Sequence, residues 1–125
     1  MARILIAEDE ADMVAGLRDN LQFEGYEVLV ATDGAEALKK ATTENPDLLL
    51  LDVNLPEVSG LDMLEFVRRR PEWKHLPIVI LSSEATDLVV SKALDLGADS
   101  YVIKPATIEE LERAMSTALS NHLNI

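Results

Sequence analysis

Glu8 and Asp9, Asp52, Ser82 and Lys104 each stand directly after a short apolar run: Ile4 to Ala7, Leu48 to Leu51, Ile78 to Leu81 and Tyr101 to Ile103. Three carboxylates brought together repel, and desolvation worsens the repulsion, so a site built from them needs compensating positive charge. Lys104 supplies one unit and a divalent cation the other two, which balances Glu8, Asp9 and Asp52. Oxygen ligands with no sulfur or imidazole nearby select a hard cation, and a site that keeps several waters fits Mg²⁺ better than a full Ca²⁺ cage. Cation, lysine and hydroxyl around one carboxylate make a receptacle for a phosphoryl group, with Ser82 donating a hydrogen bond to it. Asp52 is then the nucleophile, and the product is an aspartyl phosphate. The chain has no Gly-x-x-x-x-Gly-Lys loop, and acids rather than glycines follow its first apolar run. Both features argue against nucleotide triphosphate or dinucleotide binding.

These residues converge only if the apolar runs are neighbouring strands that point the same way. Arg3 to Ala7 reads as a strand, followed by a helix through Met13, Val14, Leu17 and Leu21 that Gly25 ends. Glu27 to Ala31 is the second strand. Asp33 and Glu36 form a capping-box pattern that opens a helix through Ala35, Leu38 and Ala41, which must stop before Pro46. The four leucines Leu48 to Leu51 read as a central strand buried on both faces, delivering Asp52 at its carboxyl end. Ser59 and Gly60 begin a helix with Leu64 and Val67 inward, closed by Pro71. Ile78 to Leu81 is the fourth strand, and a helix through Val89, Val90, Ala93 and Leu94 ends at Gly97. Ser100 to Ile103 is the fifth. After Lys104 and Pro105, Thr107 and Glu110 cap a last helix with Ile108, Leu111, Met115, Ala118 and Leu119 inward. Strand and helix alternate five times, which predicts a parallel sheet with right-handed crossovers: an α/β, doubly wound, three-layer α/β/α sandwich.

The totals fit this reading. With 125 residues and 48% apolar content the chain matches one domain, residues 1–125, with no linker. Its 11 basic and 23 acidic residues give a net charge of −12, which disfavours nucleic-acid or anionic-membrane surfaces and suits a cation site. The one basic run, Arg68 to Arg70, is expected to be a solvated helix end, where cations suit the helix dipole. The absence of cysteine removes disulfides and thiolate metal sites. His75 and His122 are expected to be too isolated for zinc. No apolar run reaches the roughly 20 residues a membrane span needs, and Met1 leads at once into a strand rather than a signal peptide, so the cytoplasm is the expected location.

With these residues in place, the chain resembles the receiver domains of two-component response regulators, chemotaxis-regulator-like, over essentially its whole length. The resemblance rests on the acidic pair Glu8 and Asp9, on Asp52 in a Leu-Asp-x-x-Leu-Pro-x-x-x-Gly setting, on Ser82, and on the pair Lys104 and Pro105. Ser82 and Lys104 follow Asp52 by 30 and 52 positions, the family's own separations. The resemblance implies a flavodoxin-like fold with strand order 2-1-3-4-5. It implies Mg²⁺, with Mn²⁺ as a substitute, held by Asp9, Asp52 and the backbone carbonyl of Asn54, with Glu8 acting through water or orienting Asp9. It implies that Tyr101 is a switch aromatic acting with Ser82, and that Asn54, Ser83 and Glu84 tune rates. Glu8 replaces the commoner Asp, and Ser83 stands where the family usually has Ala or Gly. Donors implied are a histidine kinase or histidine phosphotransfer protein, with small acyl phosphates as alternatives. The implied readout is a changed face of the fourth helix, fifth strand and fifth helix, meeting an effector, an output domain or a second copy.

Each residue has an ordinary reading too. Glu8, Asp9 or Ser82 could cap a helix, Lys104 could be a solvated turn lysine, and Tyr101 could be half-buried surface. Jointly these readings require too many coincidences of type, order and spacing. Two rivals differ in kind. An Asp-nucleophile phosphohydrolase needs an acid two residues after its nucleophile, and Asn54 cannot serve as one. An unphosphorylated receiver-like interaction module would leave the intact set of Glu8, Asp9, Asp52, Ser82 and Lys104 without work.

Overall fold

A computed structural model describes residues 2–122, so Met1 and residues 123–125 of the expected domain lie outside the described residues. Five strands, β1 (Arg3–Ala7), β2 (Glu27–Ala31), β3 (Leu48–Leu51), β4 (Ile78–Ser82) and β5 (Ser100–Ile103), alternate with five helices. The helices are α1 (Ala11–Phe23), α2 (Gly34–Glu44), α3 (Gly60–Arg69), α4 (Asp87–Asp95) and α5 (Ile108–Asn121). All strand pairs are parallel, in the order β2-β1-β3-β4-β5. The expected doubly wound sandwich is therefore the observed one.

Strand alternation divides the core in two. Leu5, Ala7, Leu49, Leu51, Ile78 and Ile80 face one way and pack with Ala37 and Ala41 of α2, Met63, Leu64 and Val67 of α3, and Ala93 of α4. Their neighbours Ile4, Ile6, Leu48, Leu50, Val79 and Leu81 face the other way, onto Leu21 of α1 and Leu111, Ala114, Met115 and Ala118 of α5. Both faces are covered, which is why β3 can be four leucines in a row.

Helix starts follow the sequence closely. Asp33, Thr86 and Thr107 accept from the backbone amides of Glu36, Val89 and Glu110, and Ser59 accepts from that of Leu61. The returning arm of the first capping box differs: the Glu36 carboxylate accepts from the amide of Thr32, one residue before the cap.

The basic run departs from expectation. Arg69 and Arg70 are exposed, but the Arg68 side chain is only 13% exposed. Its guanidinium donates to the carbonyls of Gly97, Trp73 and Leu76 and, at 3.0 Å, to Asp99 Oδ2. Asp99 also accepts from the Ile78 amide, Asn121 and His122. The reason is geometric: the end of α3 lies over the amino ends of β4 and β5, so the first of the three arginines points at loop carbonyls rather than water. The histidines are not isolated either, since the rings of His75 and His122 lie 6.0 Å apart where α5 ends beside the loop after α3. No metal-holding group includes them among the described residues. Replacing Arg68 by Ala should destabilise the fold by roughly 3 kcal/mol, because the buried Asp99 carboxylate and three loop carbonyls lose the guanidinium that pairs with them. Arg69→Ala should cost less than about 0.5 kcal/mol. Urea unfolding of the two variants measures the contrast.

Candidate functional site

The sheet's register determines how the site residues meet. The Asp52 amide donates to the Ala7 carbonyl at 3.0 Å, the Glu8 amide to Ala31, and the Lys104 amide to Ser82 at 2.9 Å. Each site residue is thus tied at its backbone to the end of the neighbouring strand. Order reverses between β1 and β3, and the crevice at such a reversal is where open α/β sheets place ligands. Glu8, Asp9 and Asp52 converge there, offering carboxylate oxygens all within 4.8 Å of one another. Glu8 is 3% exposed, Asp52 is 7% exposed, and Asp9 faces solvent.

Lys104 joins the cluster. Its Nζ lies 2.7 Å from Glu8 Oε1 and 3.5 Å from Asp52 Oδ2, and the Asn54 amide donates to Asp52 Oδ1 at 3.1 Å. Glu8 Oε2 is buried with no hydrogen-bond partner. Burial, then the Asp52 carboxylate beside it, pushes Glu8 up to about 7, against the pull of Lys104. Burial alone would raise Asp52 as well, but the neighbouring Glu8 carboxyl, the Asn54 amide and Lys104 together hold it below its ordinary value. Burial acts to lower Lys104, and the two carboxylates outweigh it, so the lysine stays charged. Glu8 therefore tends to keep its proton toward neutral pH while Asp52 is ionised, with Lys104 as the only cation touching the two among the described residues.

Ser82 is fully buried as the last residue of β4, and its Oγ accepts from the Glu84 amide at 3.2 Å. Tyr101 packs against the α2–α3–α4 side of the core and donates its hydroxyl to the Glu84 carbonyl at 2.7 Å. Burial, with added repulsion from Glu84 and Asp52, raises the Tyr101 phenol, which keeps it a donor. Asn54 and Ser83 are exposed and Glu84 is half-buried. No local pattern announces the contact Gly60 makes: its amide donates to Val53 O at 2.7 Å, and a Cβ there would lie 2.2 Å from Asp52 O. Only the motif's fixed spacing from Asp52 to Gly60 could have hinted at it.

A family model described as the response regulator receiver domain matches residues 4–116. The chain belongs to that family. Receivers are phosphorylation switches of two-component systems, signalling proteins rather than enzymes in the ordinary sense, and they generally bind Mg²⁺ at an acidic pocket. The Bacillus subtilis (strain 168) alkaline phosphatase synthesis transcriptional regulatory protein PhoP is 38% identical over 117 residues, covering 94% of this chain and 48% of PhoP. The chain spans about half the length of curated relatives such as PhoP and the Mycobacterium tuberculosis transcriptional regulatory protein KdpE. The Vibrio cholerae chemotaxis response regulator CheY4 superposes with a TM-score of 0.88 at 32% identity, covering 95% of this receiver and 99% of CheY4. The signal receiver domain of a signal transduction histidine kinase from Syntrophus aciditrophicus gives a TM-score of 0.89 at 26% identity, covering 100% of this receiver and 95% of that domain. No helix among the described residues is long and apolar enough to cross a membrane.

The raised Glu8 has a thermodynamic consequence for the metal-free receiver. Between the ordinary value of 4.5 and about 7, the folded chain holds a proton that the unfolded chain has released. The associated stability is full below about 4.5 and is lost as pH rises through about 7. Asp52 works in the opposite sense at more acid pH, below its ordinary 3.8, and does not obscure that window. In chelator, Glu8→Gln should therefore gain on the native chain by roughly 1–3 kcal/mol between pH 5 and pH 8. Denaturant unfolding at both pH values checks this, and an unchanging difference would count against the raised Glu8.

Proposed function

We propose that Asp52 accepts a phosphoryl group from the phosphohistidine of a histidine kinase or phosphotransfer protein, in a Mg²⁺-dependent reaction, and that residues 1–125 act as one receiver domain. The observation carrying this reading is the cluster itself: three carboxylates converge on the carboxyl ends of β1 and β3, with Lys104 against two of them. The residues fit a hard divalent cation, because the donors are all oxygen and the buried Glu8 Oε2 lacks a partner that a bound ion or its water would supply. Glu8, Asp9, Asp52 and the Asn54 carbonyl would hold it. Bound there, the ion offsets the repulsion between an anionic nucleophile and an anionic phosphoryl group.

The chain's own residues do the rest. The Asn54 amide holds Asp52 Oδ1, leaving the other oxygen to attack phosphorus while the donor's P–N bond breaks and the electron pair leaves on the imidazole. Lys104, already beside Asp52, stabilises the phosphoryl oxygens. Ser82 turns its hydroxyl toward the new group, giving up the bond from Glu84, and Tyr101, bound to the same residue's carbonyl, follows. The face of α4, β5 and α5 thereby changes and presents the state to an effector, an output domain or a second copy. Asn54, Ser83 and Glu84, at the rim, set the lifetime of the phosphoryl group.

Intact mass after incubation with Mg²⁺ and a small acyl phosphate tests the reading. One added phosphoryl group, absent without metal, is the expected result. No addition from an acyl phosphate or from a phosphorylated histidine kinase would leave an unphosphorylated interaction module in its place.

A further inference from the structure

Away from the face of α4, β5 and α5, an open groove of about 380 Å³ runs between α2 and α3, lined by Ala35, Leu38, Val58, Met63 and Phe66. Phe66 is 45% exposed and Val58 41% exposed, so two of the six exposed large hydrophobic side chains among the described residues meet in one groove. Gly34 lies on its floor, where an added Cβ would make ordinary van der Waals contact with Val58 at 3.4 Å and the Met63 sulfur at 3.7 Å. The one charged lining residue is Asp62, exposed and without an ion pair among the described residues, and Glu57 next to Val58 is likewise exposed and without one. The cations at the far end of α3 are taken, Arg69 by Glu65 and Arg70 by Glu72.

We propose that this groove docks an amphipathic helix of a partner protein, with two apolar side chains three or four residues apart seated between Leu38 and Phe66, and lysine or arginine over Asp62 and Glu57. Grooves of this kind take helices through i, i+3 and i+4 anchors. A second copy of the chain fits poorly, since it would bring the same acids and a net charge of −12 to the interface. The docked helix would also touch the loop that carries Asp52. Val58 follows Glu57, which holds a φ of +69° inside a tight turn closed by the Val58 amide on the Pro56 carbonyl. That turn is a strained form, held in place by what packs around Val58, so the groove and the loop leading from Asp52 share a wall.

The test is selection of a phage-displayed library of helical peptides against the full chain, followed by binding of the enriched peptides as free, labelled molecules. Expected are peptides with paired apolar residues and flanking lysine or arginine. Their affinity should fall at least tenfold with Ala35→Glu, Phe66→Ala and Asp62→Lys, all exposed positions, and also in high salt. Leu88→Glu, 78% exposed on α4, should leave it unchanged. Circular dichroism confirms that the variants stay folded. An empty selection, acidic peptides, or binding indifferent to the three groove substitutions would overturn the proposal. A homodimer that Ala35→Glu dissociates would overturn it in favour of a second copy.

Discussion

Replacing Asp52 by Asn should abolish phosphoryl incorporation from every donor while making the metal-free protein more stable. The two effects have one cause. Asn has the shape of Asp and can keep the bond from the Asn54 amide, so the packing at the end of β3 survives. An amide oxygen is not a carboxylate nucleophile, and no acyl phosphate can form on it. Beyond burial, Asp52 is the one group that pushes Glu8 up, so removing its charge lets Glu8 ionise against Lys104 alone. We expect a gain of roughly 1–2 kcal/mol at pH 7 in chelator. Added Mg²⁺ should narrow that gap, because the native chain gains more from the cation than the variant does. Mass spectrometry gives the first result and unfolding with and without Mg²⁺ the second. A variant that loses phosphorylation together with stability would point to a damaged fold, and the loss would then say nothing about the acceptor.

Gly60→Ala should be the most damaging single methyl in the chain. The added Cβ would sit 2.2 Å from the Asp52 carbonyl oxygen and 2.6 Å from Val53 Cα, which are backbone atoms that no rotamer change can move aside. Either α3 lifts from the end of β3 or the backbone of Asp52 shifts with it. We expect a loss of about 3 kcal/mol or more, at the upper end of overpacking costs, and at least tenfold slower phosphorylation in the fraction that remains folded. Gly16→Ala is the matched control. Gly16 lies inside α1 with nothing within 4 Å of its added Cβ, so the same methyl should stabilise by roughly 0.5–1 kcal/mol through helix propensity. Chemical denaturation of both variants, with phosphorylation rates alongside, decides whether the approach of Gly60 to Asp52 is as close as described.

Much of this molecule is legible in one dimension because its rules are local. Short apolar runs, helical apolar spacing and cap residues each act within a few positions, so β1 to β5 and the starts at Asp33, Ser59 and Thr107 could be read directly. Parallel strands joined by right-handed crossovers leave little freedom in how such elements assemble, so Glu8, Asp9, Asp52 and Lys104 could be expected at one end of the sheet. Residue type then supplied the chemistry, a hard cation and an aspartyl nucleophile. What stayed hidden depends on distance across the fold. Arg68 looks like its exposed neighbours Arg69 and Arg70 until α3 is laid over the amino ends of β4 and β5, where Asp99 is waiting. His75 and His122 are far apart in sequence and 6.0 Å apart in space. The division of charge between Glu8 and Asp52 follows from burial and from which oxygens Lys104 and the Asn54 amide reach. The sequence by itself determined which groups could do the chemistry and at which end of the sheet they stand. Only the tertiary structure decided their protonation and spacing, because desolvation and close packing are properties of neighbours that no local pattern specifies.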